Sequence, residues 1–320
     1  MTCTFSSTCP IVDPTAIQQL AQVSGPCITI QIPDHQRGAQ QGSRHAILRD
    51  LLREARERAA DLLGPIEEMI RSGEIDSNGP GLAIFRAPDF MAHYSAPSTN
   101  RETVVIGDHF HLTPLIARAF APQHLFVLGL SKKHLRLFKY ASGECSERPL
   151  PTGVAMSLEI AGEFDQGNFF RLVDEGLKPA LHGKPLLLMG VREEIRAYRR
   201  TATYPRILNH EVDGNVDHLS LSQIADCAAD AAQTDYFEAG EKVLADYAEM
   251  PDRARTLSDA LGILEAASAG RVHRLCFCTD QPDDLINEAV VETLRNGGEV
   301  FALPQDRMLA DTPMAAILRY

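Results

Sequence analysis

Two groups of basic residues in the middle of the chain could bind the phosphates of a nucleic acid. Lysine and arginine neutralise phosphate charge, and a cluster of them is typical of such a surface. Solvated surface charge is the alternative interpretation of both groups. We predict an RNA-binding surface made of Lys132, Lys133, His134, Arg136 and Lys139 in the first group and Arg192, Arg196, Arg199, Arg200 and Arg206 in the second.

Histidines at two places could bind a metal ion. His109 and His111 are one residue apart, so both rings would face the same side of a strand. His210 and His218 flank a stretch with several acidic residues, which lacks the spacing of a calcium-binding loop. We favour a polar strand end for the first pair and an interdomain linker for the second. We therefore predict no catalytic residue, no metal and no cofactor, and keep a metal-dependent hydrolase as an alternative function.

Other enzyme signatures are missing from the sequence. No P-loop, GxGxxG or GxSxG motif occurs among the 320 residues. The seven cysteines form no CxxC pair, which indicates reduced thiols rather than a disulfide framework. Because no apolar run is long enough to cross a bilayer and the first residues do not resemble a signal peptide, we expect a cytoplasmic protein with no membrane partner.

The net charge of −12 is distributed unevenly along the chain. Residues 1–121 carry a net charge of −3, residues 122–218 carry +1, and residues 219–320 carry −10. The middle segment is therefore the part in which contact with RNA is electrostatically most favourable. The acidic last segment suits a basic protein partner.

The pattern of apolar residues predicts three α/β segments that would position these side chains. Residues 1–121 contain strand patterns at 27–32, 81–85 and 103–106, and a helix pattern at 44–63 that Gly64 and Pro65 break or kink. That helix carries arginines beside a stripe of acidic residues, which indicates ion pairing on an exposed face.

The second segment, residues 122–218, is predicted to form a mixed sheet covered by helices. Its strands lie at 125–130, 135–140 and 185–190, and a further strand ends at Pro151. Helices are predicted at 169–181 and 193–200, and a polar loop at 209–217. The residues between the first two strands, 131–134, form the turn of a hairpin.

The third segment, residues 219–320, alternates helices with strands and is predicted to be a compact sandwich. The predicted helices lie at 220–248, 256–269 and 282–296, and the predicted strands at 272–279, 299–303 and 316–320.

The order of these elements resembles that of the archaeo-eukaryotic peptide-chain release factors and Pelota. Residues 256–272, 289–300 and 316–320, which end in Ile-Leu-Arg-Tyr, are similar to the last domain of those proteins; residues 125–130 and 185–191 are similar to their middle domain. Residues 27–33 and the arginine-rich helix that follows resemble the N-terminal domain of the bacterial branch. The resemblance implies an N-terminal α/β domain, an RNase H-like middle domain and a C-terminal α/β/α sandwich of the ribosomal-protein type that binds kink-turn RNA.

The sequence departs from the family at its catalytic motif. Members that release the nascent peptide carry Gly-Gly-Gln in a loop after the third strand of the middle domain. The corresponding residues 152–167 contain no such tripeptide, and Gly297-Gly298-Glu299 fits a helix end better. The hydrolytic reaction is therefore not part of what the resemblance implies for this chain.

The leading hypothesis is a non-enzymatic, ribosome-associated translation factor that acts in rescue, stalling or dormancy. Its predicted partners are the ribosome and its RNA, with a ribosomal protein or a translational GTPase at the acidic C-terminal domain. A stand-alone protein-interaction module is a further alternative.

Overall fold

The computed structural model describes residues 10–33, 44–75, 81–95, 101–131, 134–152, 154, 166–280, 283–310 and 312–320. The described residues form three sheets and eight helices, which confirms the predicted α/β fold class. By their contacts they divide into two compact units. The first unit joins the residues up to Phe120 with residues 239–320, and the second contains residues 121–238. Separate folding of the predicted domains 1–121, 122–218 and 219–320 stays a prediction.

The second unit is built on a five-stranded mixed sheet. Strands β5, β6 and β7 form an antiparallel meander, and β8 and β9 are parallel to β5, so that the order is β7-β6-β5-β8-β9. This order agrees with the RNase H-like arrangement that the resemblance implies. The strands are β5 (His124–Leu130), β6 (Leu135–Ala141), β7 (Glu144–Arg148), β8 (Leu186–Gly190) and β9 (Ile207–Asp213).

Helices α4 (Gln166–Leu181) and α5 (Arg192–Thr201) pack together against this sheet. Both helices place aromatic side chains in its core, where Phe170 meets Tyr198 edge to face. The alternate residues Leu135 and Leu137 of β6 belong to the same core, as the period of a strand requires. Burial of these side chains fixes which face of the sheet each cation of β6 occupies.

The first unit contains the other two sheets. In the four-stranded antiparallel sheet, of order β3-β2-β1-β4, the central strands β1 (Cys27–Ile32) and β2 (Leu82–Ala87) lie between the edge strands β3 (Phe90–Ser95) and β4 (Thr103–Gly107). The long helix α2 (Arg44–Ser72) packs its leucines against this sheet. Helices α1 (Pro14–Gln22) and α3 (Thr113–Phe120) complete the N-terminal part.

The C-terminal part of the first unit has the sheet order β10-β13-β11-β12. Strands β11 (Val272–Cys278) and β12 (Glu299–Leu303) are parallel, and α8 (Asp284–Arg295) connects them. The remaining elements are α6 (Leu221–Glu249), β10 (Thr256–Leu257), α7 (Ala260–Ser268) and β13 (Met314–Leu318). No helix of the described residues is long and apolar enough to span a membrane.

Three predicted elements are wrong in part. The polar loop predicted at 209–217 begins as β9, whose polar residues are tolerated because it is the half-exposed edge of the sheet. The helix predicted at 256–269 begins at Ala260, since residues 256–257 pair with β13 and Asp259 caps the helix by accepting a hydrogen bond from Gly262 N–H. Helix α2 continues through Gly64 and Pro65 to Ser72 and leaves helical backbone angles at Ala59.

Candidate nucleic-acid interface

The hairpin between β5 and β6 closes through its backbone. Ser131 N–H donates a hydrogen bond to the carbonyl oxygen of His134, and His134 N–H donates one to Ser131 Oγ. The His134 side chain is exposed. Lys132 and Lys133 lie outside the described residues, so their place in the predicted surface rests on the sequence.

Arg136 is engaged within its own sheet. Its guanidinium group donates two hydrogen bonds to the Glu147 carboxylate on β7, both at 2.9 Å, and lies 4.8 Å from the centre of the Phe138 ring. The hydrogen bond with Glu147 raises the pKa of Arg136, and the same bond lowers the pKa of Glu147. A phosphate would therefore meet a guanidinium group whose charge is already neutralised by a carboxylate.

Lys139 lies on the other face of β6 from Arg136. Successive residues of a strand point to opposite faces, so the side chain of Lys139 shares the face of Leu137 and is half-buried. The two basic residues of β6 thus lie on opposite faces of the strand. The structure does not bring Arg136 and Lys139 together on one surface.

The arginines of α5 form one stripe on the helix. Positions 192, 196, 199 and 200 fall within about a quarter of its circumference at 3.6 residues per turn. Two of them are tied to β9: Arg192 Nε donates to Asp213 at 2.7 Å, and Arg199 Nε donates to Glu211 at 3.2 Å. Arg199 also donates to the carbonyl oxygen of Leu208 at 2.6 Å.

Arg196 and Arg200 share the exposure of Arg192 but not its ion pair. Within the part of the chain that the structure describes, neither makes a hydrogen bond or an ion pair to another side chain. They are one helical turn apart, about 6 Å along the axis. Within the described residues, these two arginines are the members of the α5 stripe that no acidic side chain engages.

The end of the second unit at which β8 and β9 begin carries further cations. Arg206 Nη1 donates to the carbonyl oxygen of Gly183 at 3.2 Å, and the exposed Lys184 follows that glycine. Because α5 runs back from the end of β8 to the start of β9, Arg200 in its last turn lies near this same end. Lys184 was missed by sequence reasoning because it stands alone in the sequence, next to Pro185.

The four candidate metal ligands have other surroundings. His109 Nδ1 lies 3.2 Å from a guanidinium nitrogen of Arg295, and His111 is half-buried with its backbone N–H donating to Thr29 Oγ1. Burial lowers the pKa of His111, while Asp284 acts in the opposite direction. His210 lies in β9, and His218 is exposed after it. Among the described residues, no three His, Cys, Asp or Glu side chains are grouped to hold a metal ion.

A family match covers the segment that holds these cations. Residues 124–271, just under half of the chain, match the sequence model of bacterial archaeo-eukaryotic release factor family 3. The predicted resemblance to the bacterial branch of the superfamily is confirmed. The match begins at the first residue of β5 and includes α5 with its arginine stripe. No protein of curated function matches this release-factor-like chain in sequence.

Solved structures show a distant likeness to the release-factor-like chain. Archaeal translation termination factor aRF1 is 16% identical over 96% of each chain, with a TM-score of 0.28. Archaeoglobus fulgidus Pelota is 11% identical over 98% of this chain and 94% of its own, with a TM-score of 0.44. S. cerevisiae Dom34, a translation termination-like factor that interacts with Hbs1, is 13% identical over 78% of this chain and 77% of its own, with a TM-score of 0.41.

Proposed function

We propose that the protein is a non-enzymatic translation factor that binds the ribosome and contacts ribosomal RNA through α5. The exposed pair Arg196 and Arg200 carries this proposal, because it offers two unneutralised guanidinium groups on the segment that matches the release factor family. Guanidinium groups bind phosphate oxygens through paired N–H donors. Lys132 and Lys133 are included in the proposed surface because the sequence places them next to each other in the turn between the strands predicted at 125–130 and 135–140.

The proposed role is occupation of the ribosome during rescue, stalling or dormancy rather than peptide release. Supporting this role, no Gly-Gly-Gln tripeptide occurs in residues 152–167 or elsewhere in the chain. Residues 155–165, where the hydrolytic loop would lie, are outside the described residues. The core of the second unit is apolar, and its buried Asp174 accepts hydrogen bonds from Tyr198 and Thr203.

The acidic residues 219–320 are proposed to face a basic protein, such as a ribosomal protein or a translational GTPase. Their net charge of −10 would repel a phosphate backbone and attract lysines and arginines. Part of this charge is neutralised locally, since Arg274 lies between Asp246 at 3.2 Å and Glu299 at 3.1 Å. Exposed acids such as Glu249 and Glu288 remain available.

Co-sedimentation with ribosomes tests the RNA contact. Arg196→Glu and Arg200→Glu should each weaken binding, and each should lower the slope of log affinity against log salt by about one per lost phosphate contact. Arg171→Glu is the matched control, because Arg171 is an exposed arginine of the same unit that is paired with Glu175 on α4. It makes the same change of charge away from the proposed surface.

Two results would contradict the proposal. Binding that does not weaken as the salt concentration rises would exclude a contact driven by phosphate charge. An equal loss of binding in the Arg171→Glu control would show that only overall charge matters, and that α5 is not the contact.

A further inference from the structure

The kinked helix α2 contains a cleft lined mainly by arginine. The chain leaves helical backbone angles at Ala59, and Pro65 lacks the N–H that would bond to the carbonyl of Asp61, so α2 consists of two segments that meet at an angle. Both segments contribute to a cleft of about 620 Å³. Its lining residues are Arg49, Leu52, Arg53 and Arg56 from the first segment and Glu67, Ile70 and Arg71 from the second.

Three of the four arginines that line this cleft form ion pairs that are exposed to solvent. Arg53 pairs with Asp50 at 3.1 Å, and its side chain is 82% exposed. Arg56 pairs with Glu67 and Arg71 pairs with Glu68, again with most of each guanidinium group in water. Exposed pairs of this kind contribute little to stability and exchange readily with other anions. A ligand with more negative charge than one carboxylate can therefore take their place.

The size and walls of the cleft favour a small ligand. Its volume falls in the range of small-molecule sites, and the side chains of Leu52 and Ile70 supply apolar contact between the charged groups. A long RNA strand laid along α2 would meet the exposed acids of the neighbouring stripe, Glu54, Glu57 and Asp61. A compact ligand in the cleft would meet one acid of its lining, Glu67, against four arginines. The charge of the lining residues and the size of the cleft thus both favour a small anionic ligand.

We propose that the α2 cleft binds a phosphate-bearing molecule of nucleotide size, with its phosphates between Arg53, Arg56 and Arg71. Guanidinium groups from both sides of the kink would hold the phosphates through charge-assisted hydrogen bonds. The site lies in the first unit and is independent of the RNA surface proposed for α5. It adds a small-molecule ligand to a chain whose sequence contains no nucleotide-binding motif.

Titration calorimetry on the full chain tests this site with three probes. They are inorganic pyrophosphate, ATP, and a single-stranded RNA of about 12 nucleotides without a terminal phosphate. Pyrophosphate and ATP should bind at low salt and weaken as the salt concentration rises. Arg53→Gln and Arg71→Gln, one from each side of the kink, should each reduce ATP affinity about tenfold, because each removes a charge-assisted hydrogen bond.

Arg58→Gln is the matched control, since Arg58 is an exposed arginine of the same helix that does not line the cleft. It should leave ATP affinity unchanged. Absence of ATP and pyrophosphate binding at low salt would overturn the proposal, as would an equal loss of affinity in the control. Tighter binding of the RNA than of ATP, abolished by the same two substitutions, would overturn the assignment of a small ligand.

Discussion

The side-chain amide of Asn287 donates a hydrogen bond to the backbone carbonyl oxygen of Phe110 at 3.0 Å. The same amide accepts a hydrogen bond from Leu112 N–H at 2.8 Å, so a residue of α8 satisfies two backbone groups of the segment that leads into α3. Arg295 acts in a similar way, with its guanidinium group donating to the carbonyl oxygen of Val23 at 2.7 Å. These bonds join the two ends of the chain within the first unit.

Substitution of Asn287 should destabilise the first unit. Asn287→Ala leaves the buried carbonyl of Phe110 and the N–H of Leu112 without partners, because Asn287 is only 7% exposed and water has little access. We expect a loss of about 1–3 kcal/mol in the free energy of unfolding, measured by urea denaturation. Asn209→Ala removes one exposed hydrogen bond, to Glu238, and should cost much less. Equal losses in the two variants would contradict the role assigned to Asn287.

Apolar periodicity predicted the strands whose burial is nearly complete. The predicted ranges of β5, β6 and β8 differ from the observed ones by about one residue at each end, because these strands are either central in the sheet or packed on its core. Strand β3 and helices α1 and α3 were not predicted. The residues of β3 are mostly half-buried at a sheet edge, and α3 has eight residues with Pro114 near its start, so neither shows a long periodic pattern.

The contacts of the predicted surface residues could not be predicted as well as the fold. A sequence shows that Arg136 is basic, but its engagement with Glu147 depends on the register of β6 and β7, in which Phe138 lies opposite Glu147. The sequence likewise did not show that Arg192 and Arg199 pair with acids of β9, since that strand was predicted as a loop. Arg196 and Arg200 are four residues apart, so the helical period alone places them on one face of α5.

Asp174 should make the stability of the second unit depend on pH. Its carboxylate is 1% exposed. Burial would raise its pKa, but hydrogen bonds from Thr203 N–H and Oγ1 and from Lys178 outweigh burial and hold the pKa below its usual value. A group with a lowered pKa in the folded state stabilises the fold at pH values above its unfolded pKa, about 3.9, and this contribution is lost as the pH falls through the folded value.

We therefore expect Asp174→Asn to be destabilising at pH 7, by about 1–3 kcal/mol, through loss of charge-assisted hydrogen bonds. The difference from the parent protein should shrink as the pH falls below about 4, because the unfolded parent chain is protonated first and the folded carboxylate follows at a lower pH. Urea denaturation at both pH values measures it. Asp230→Asn, which changes an exposed carboxylate in the same unit, should have little effect at either pH. A destabilisation by Asp174→Asn that does not change with pH would refute the account.

Close approach of β5 and β8 leaves no room for a side chain at Gly190. A Cβ atom there would lie 2.3 Å from the carbonyl oxygen of Leu130, which belongs to the backbone and cannot rotate away. Gly190→Ala should therefore force the two parallel strands apart and cost about 1–3 kcal/mol in the free energy of unfolding.

Gly64→Ala is the matched control, because this glycine lies in α2 with no atom within 4 Å of the position that a Cβ would take. Because alanine has the higher helix propensity, that variant should be neutral or gain up to about 1 kcal/mol. Thermal unfolding of the two variants beside the parent measures both effects, and a Gly190→Ala protein as stable as the parent would show that the strands tolerate wider spacing.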